Sequence, residues 1–315
     1  MSRNSRFRII YFLIAASAFY YVAVKLLNFE QWDFINTNFI NDNWGFLVTI
    51  QVILWGINIS LESFRWKYLL SSFSGYSFFD SLKMVIVSFA AGGATPMKIG
   101  EHGGKIVYMK KDDHATGIMA SLYGSYLNSA VLLLIAAFTV PFLLTYKKIT
   151  LPISAGFSKT VLILLIFIFL TVSYFLVIFL FKQIKKKISN TGWAVKTEFF
   201  ENFKLKRALP LFFMTLLRIM TYNVQLYIWF RFFNISCPVS TFFLLSPAYF
   251  AIITLIPAIF LLDLGIRGSV GLFLFLSLCG NTAAVISAIF SLWFINVAIP
   301  VLWGSLLLLF KEYHQ

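Results

Sequence analysis

Charge is the scarcest ingredient of this sequence. Lys, Arg, Asp and Glu together make up 12% of its 315 residues, about half of the roughly 25% typical of soluble domains. Histidine is nearly absent, with His102, His114 and His314 far apart, and the two cysteines, Cys237 and Cys279, lie inside apolar segments. This spacing excludes a disulfide framework and a zinc site, and both thiols read as packing groups. There is no paired-carboxylate motif at helical spacing within the apolar runs and no Ser/His/Asp set, so hydrolytic chemistry lacks its usual groups.

What fills the sequence instead is apolar. With 60% hydrophobic and 19% aromatic residues, most of the surface has to be solvated by lipid, which requires backbone hydrogen bonds closed within helices. The expected fold class is an all-α polytopic membrane protein. The formal net charge of +14 does not point to nucleic acid, because the basic residues sit in short segments between apolar runs rather than along one polar face. They read as topology signals and as contacts to anionic headgroups.

Span lengths then set the organisation. Arg3, Arg6 and Arg8 precede an apolar stretch that contains Ala16-Ser17-Ala18 and continues to Leu27, so a retained signal-anchor helix is expected rather than a cleaved leader. Uncharged runs at 44–61, 115–146 and 160–181, and 208–230 with Arg218 as its one internal charge, are each long enough to cross. The run 268–310 holds 43 uncharged residues, a helix of roughly 65 Å if unbroken. It therefore has to turn, and Gly280-Asn281 is the natural corner.

Two segments break the spanning rule. The run 84–97 holds only 14 uncharged residues, roughly 21 Å of helix, and Gly92-Gly93, Pro96, Gly100, Gly103 and Gly104 interrupt it or follow it closely. Late in the chain Pro247 and Pro257 interrupt another apolar run, followed by Asp263, Gly265, Arg267 and Gly268. Non-helical backbone at membrane depth survives only inside protein or beside a wet cavity, so both segments are expected to be re-entrant helical hairpins.

With both hairpins returning to their own side, loop charges fall on one face. The loop 28–43 has no Lys or Arg, whereas 182–207 has eight, namely Lys182, Lys185, Lys186, Lys187, Lys196, Lys204, Lys206 and Arg207. The positive-inside rule places that linker and both termini in the cytoplasm, in the inner membrane, with Lys147, Lys148 and Lys159 as a mild exception. About six spans and two hairpins result. The domains expected are an anchor helix and external loop at 1–43, a first repeat at 44–146, a connecting span and basic linker at 147–207, and a second repeat of opposite orientation at 208–315. Such inverted repeats with broken helices are common in transporters, whose binding sites lie where the breaks meet.

The segment 94–105 is the most informative. Lys98, Glu101 and Lys105 lie on an element that begins inside the membrane, where charges face a polar cavity or one another, and Glu101 with Lys105 forms an i,i+4 pair. A position in the cytoplasmic interface is the plainer alternative. Asp263 and Arg267 stand in the corresponding place of the second half, either as another local i,i+4 pair or on the wall of the same cavity. Arg218 inside a span is costly without a partner, while Asn223, Gln225, Ser125, Asn128 and Ser129 fit helix-to-helix bonding as well as a substrate path. Arg65 and Lys67 are expected to snorkel to the interface. The linker, with Trp193, Phe199, Phe200 and Phe203 among its lysines, reads as an amphipathic surface helix or as a solvated loop.

Pro96, Gly100-Glu101, Gly265-Ile266-Arg267 and Arg65-Trp66 resemble the signature segments of the flippase-like transmembrane domain of lysylphosphatidylglycerol synthases, over roughly residues 45 to 310. That resemblance implies movement of a modified phospholipid between leaflets. Only five residues follow the last span, so the separate synthase domain of the multidomain relatives is not expected here. Two departures stand out: Gly268 occupies the place where an acid commonly follows the arginine, and Ile259-Phe260-Leu261-Leu262-Asp263 replaces a glycine-rich turn. Asp263 is expected to stand in for the missing acid.

The leading expectation is a lipid flippase or transporter in which Lys98, Glu101, Lys105, Arg218, Asp263 and Arg267 receive an anionic or lipid-linked headgroup. Glu101 and Arg267 would share one cavity near the midplane. An integral membrane enzyme of lipid or glycan metabolism and a non-transporting accessory subunit are the alternatives. No cofactor or metal is expected. The expected partners are membrane lipids, with a homodimer or a lipid-modifying enzyme left open.

Overall fold

The computed structural model describes residues 12–13, 16–17, 19–20, 23–24, 26–41, 44–95, 98–146, 196–256 and 263–310, with a few more between 168 and 183. All regular elements among them are helical. Four helices are long and apolar enough to cross a membrane, at Trp44–Leu70, Lys111–Thr139, Leu205–Phe232 and Thr282–Leu309. The expected spans near 9–27 and 160–181, and Lys147, Lys148, Lys159, Lys182 to Lys187, Trp193, Pro96 and Pro257, lie wholly or largely outside the described residues.

In chain order the helices are α1 (Trp32–Asn41), α2 (Trp44–Leu70), α3 (Phe78–Gly93), α4 (Gly100–Ile106) and α5 (His114–Tyr146). A 3-10 turn at Thr197–Phe203 leads into α6 (Leu205–Phe232), then α7 (Val239–Leu255), α8 (Asp263–Cys279), α9 (Thr282–Trp293) and α10 (Ile299–Leu309). The corner expected at Gly280-Asn281 is present. Gly280 takes φ +64°, which suits glycine, and the Asn281 side chain caps α9 by accepting from the Ala284 amide at 3.1 Å. α9 and α10 continue through one π-helical turn at Phe294–Ala298, ahead of Pro300, whose ring nitrogen has no hydrogen to donate.

α3 and α4 fold back on each other. Ser77 and Asp80 form a capping box that starts α3, and Gly92-Gly93 end it. Its 16 residues reach roughly 24 Å, short of a bilayer core of roughly 30 Å. Glycines then let α4 return at backbone contact: a Cβ at Gly104 would lie 2.7 Å from Ser88 Cα and 2.9 Å from Ala91 Cβ, and one at Gly100 would strike the Ala91 carbonyl. α10 closes on the outer side of α3 through Gly304, which faces the Ile86 carbonyl. α7 and α8, 17 residues each, form the other short pair.

Further contacts join the first five helices to the last five. α2 packs along α6 and α5 along α7, and the larger apolar core lies among α6 to α9, where Phe230, Phe242 and Phe275 pack ring on ring at 4.8 to 5.9 Å.

Two sequence readings are corrected. Phe199 is fully buried against Tyr123 and Leu211, so the described end of the basic linker is neither a surface helix on lipid nor a solvated loop. Polar staples hold it there: Lys196 Nζ meets Asp113 at 2.6 Å, and Arg207 Nη2 donates to the Tyr68 carbonyl and to Ser71 at 2.8 Å. The second correction is that α2 does not end at Leu61, where charge begins; it runs nine residues farther to Leu70 and buries Glu62 and Arg65. Arg65 is therefore no snorkelling anchor, whereas Lys67 is exposed.

Gly103 and Gly104 are adjacent on α4, but a Cβ at Gly103 would meet nothing within 4 Å. Gly104→Ala should therefore lower the unfolding temperature in detergent by overpacking, at a cost of about 1–3 kcal/mol. Gly103→Ala should leave it unchanged or slightly raised. Equal melting of the two variants would contradict the close α3–α4 approach.

Candidate functional site

Glu62 is the centre of the buried polar network. It stands three residues before Arg65 on α2, so helical geometry alone brings the pair together, with Arg65 Nη2 2.6 Å from Oε2. α4 delivers Lys105, whose Nζ donates to Oε1 at 2.9 Å, and α6 delivers Arg218, whose Nη1 donates to Oε2 at 2.8 Å. One carboxylate, 5% exposed, thus binds three cations from three helices. Glu101 adds a longer contact to Lys105 at 3.5 Å. The expected Glu101–Lys105 pair is present, but the closer partner of Lys105 is Glu62.

Neutral groups complete the network. Arg65 Nη1 donates to the Gly124 carbonyl on α5 and to Thr215 on α6, both at 3.2 Å, and Arg218 Nε donates to Asn58 at 2.9 Å. Asn58 in turn donates to Asn296 at 3.3 Å, which lies in the π turn between α9 and α10. Asn296 is held there by its own Nδ2, which donates to the Leu292 carbonyl. The lysine ammonium also lies over the Trp66 ring, 5.2 Å from its centroid.

Beside this network is a cavity of about 610 Å³. Lys98, Glu101 and His102 reach it from the break between α3 and α4, and Asp263 and Arg267 from the break between α7 and α8. Arg65 and Arg218 line it from the spans, and Ser125, Asn128 and Ser129 add a neutral polar strip from α5. Glu101 and Arg267, distant in sequence, therefore face one space. Of the six residues singled out in the sequence, Lys98, Glu101, Arg218, Asp263 and Arg267 are on the wall; Lys105 is behind it, 3% exposed and committed to Glu62.

The two breaks satisfy their charges differently. Arg267 Nε donates to both oxygens of Asp263 at 3.1 Å, so the local i,i+4 pair and the cavity position coexist. Lys98 makes no ion pair within 4 Å among the described residues, and its backbone takes φ +56°, a region that is uncommon for a non-glycine residue. His102 Nδ1 is 2.8 Å from Ser121 Oγ. No group of three His, Cys, Asp or Glu able to hold a metal occurs among the described residues. Gln225 and Gln51 exchange bonds with each other's backbone between α6 and α2, which assigns Gln225 to helix packing.

Glu62 is what the sequence reading missed. Its signal is the i,i+3 spacing to Arg65, hidden because the first charge after a long apolar run ordinarily marks the end of a span.

Replacing Glu62 by Gln leaves three buried cations around a neutral amide. We expect Glu62→Gln to destabilise the detergent-solubilised protein by about 3–5 kcal/mol, the usual consequence of removing one side of a buried pair. Glu101→Gln, at a half-exposed carboxylate, should cost far less. Thermal unfolding of both variants checks the order, and a milder effect for Glu62→Gln would remove it from the centre of the network.

Comparison with curated proteins finds no match. The family model described as the lysylphosphatidylglycerol synthase TM region matches residues 8–304, which covers both helix breaks, the cavity and the Glu62 network, and the chain belongs to that family.

Proposed function

We propose that the protein is a lipid transporter that carries an anionic headgroup between leaflets through the cavity where the two helix breaks meet. The observation that carries this reading is the composition of the wall. Lys98, Arg65, Arg218 and Arg267 face it against Glu101 and Asp263, an excess of positive charge that is expensive at membrane depth unless an anion or water completes it. Arginine forks match phosphate oxygens in geometry as well as charge. Membership of the family described as the lysylphosphatidylglycerol synthase TM region is in keeping with a lipid ligand.

The chain order supports a mechanism. α2, the α3–α4 pair and α5 form a span, hairpin and span, and α6, the α7–α8 pair and the α9–α10 helix repeat that order. In our reading the α3–α4 hairpin opens to the face that carries Lys111, Lys196 and Arg207, which the positive-inside rule makes cytoplasmic. The second hairpin opens to the opposite face, toward which α1 and the start of α9 lie in this reading, with Phe29 stacked on Phe290 of α9. Two inverted units around a fixed site are suited to alternating access by rocking of one against the other.

Proteoliposomes with a fluorescent anionic phospholipid in both leaflets test the reading through the fraction exposed to an external quencher. Protein should raise the exchanging fraction, and Glu101→Gln should slow it while the protein stays inserted. No exchange above protein-free vesicles would overturn it; product formation in detergent, without two compartments, would favour the enzyme alternative. For orientation, a cysteine at Thr37 in intact cells should label from outside and one at Lys111 should not; both positions are exposed. Equal labelling would refute the assigned topology.

A further inference from the structure

We infer that the headgroup this cavity takes is a dianionic phosphate, a phosphomonoester or pyrophosphate, in preference to the monoanionic phosphodiester of most phospholipids. The inference rests on the transport reading for its route but on the charges of the site for its chemistry.

Counting the wall together with the residues bonded behind it gives five cations, Arg65, Lys98, Lys105, Arg218 and Arg267, against three carboxylates, Glu62, Glu101 and Asp263. The excess is two. Internal pairing locates the surplus. Asp263 neutralises Arg267, and Glu62 and Glu101 offset two of Arg65, Lys105 and Arg218. That leaves one charge shared along the Glu62 network and the second on Lys98.

A second observation does not depend on counting. Arg65 is 3% exposed and lines the cavity, yet its Nε–H has no acceptor among the described residues. A buried donor without a partner is costly and demands an explanation. With Nη1 and Nη2 already bonded to Gly124, Thr215 and Glu62, this N–H is closed off in the present conformation, and an oxygen in the cavity reaches it only once the guanidinium turns toward the wall. Lys98 stands at the opposite end of the problem, an exposed cation near enough to Asp263 to act on it electrostatically but without an ion pair within 4 Å among the described residues, in a strained backbone at the tip of the first break. Strain of about 1–3 kcal/mol persists where the surroundings impose it, often at a ligand contact.

A phosphomonoester carries about −1.5 to −2 near neutral pH and cancels the whole surplus. A phosphodiester carries one charge and leaves the exposed Lys98 unmatched, which penalises it by the equivalent of one charge-assisted hydrogen bond, about tenfold in affinity.

The test compares fluorescent phosphatidic acid with fluorescent phosphatidylglycerol in the same phosphatidylcholine proteoliposomes, and retention of each lipid by the purified protein in detergent by native mass spectrometry. Phosphatidic acid should be retained and exchanged about tenfold better. Lys98→Gln should bring that ratio close to one, and Lys98→Arg should restore it, a result that general damage to the fold would not give. Inorganic phosphate should compete for the site in detergent without being accumulated by the vesicles. Equal retention of the two lipids, or a ratio unchanged in Lys98→Gln, overturns the inference; accumulation of labelled inorganic phosphate overturns the lipid as its source. If neither lipid exchanges, the transport reading fails, and the retention ratio alone still decides the headgroup.

Discussion

A carboxylate inside an apolar helix bundle has to find cations, and Glu62 finds three. Each contact is near 3 Å, worth several kcal/mol at an effective dielectric of about 20, and each is offset by the loss of water around both ions. The net contribution to stability is therefore small beside the penalty for breaking the set. What the network fixes is position. Arg65 on α2, Lys105 on α4 and Arg218 on α6 can all reach one carboxylate only when the first hairpin and the spans of the two halves stand in one register.

That shared carboxylate links the cavity to the packing behind it. Arg218 faces both Glu62 and the cavity, so an anion that engages its guanidinium competes with Glu62 for the same donors. Glu62 is also held by Lys105, which belongs to the first hairpin. The chain of bonds runs on through Asn58 to Asn296 in the π turn, where a helix already departs from regular geometry. Charge in the cavity and the seating of α4, α6 and the last span are thus tied through a few atoms.

The sequence was legible wherever a single local rule governed. Span length identified the long helices, Gly280-Asn281 marked the corner, and the short glycine-broken run at 84–97 announced the α3–α4 break. Glycine also explains why that break closes tightly, since Gly100 and Gly104 sit where a side chain would strike α3. What could not be read was burial of charge. Arg65 and Glu62 look like the end of a span because a charge following apolar residues usually meets water, and only the long-range partners Lys105, Thr215 and Arg218 reverse that reading. Phe199 was hidden in the same way, since aromatics among lysines suit a lipid surface until Tyr123 and Leu211 are brought against them.

The two breaks hold their charges in different ways, and that difference gives the cavity its character. α8 is 17 residues long and carries both Asp263 and Arg267 on its first turn and a half, so the second break settles its charge within one helix. α4 has seven residues, and its last turn sends Lys105 away from the cavity to Glu62. Glu101 follows Lys105 at a longer distance, and Lys98, three residues earlier, has no ion pair to draw it back among the described residues. The uncompensated charge therefore lies on the first break and on the arginines of the spans, not on the second. Had α4 carried a local acid for Lys98 as α8 does for Arg267, the wall would be closer to neutral and the case for an anionic ligand would rest on much less.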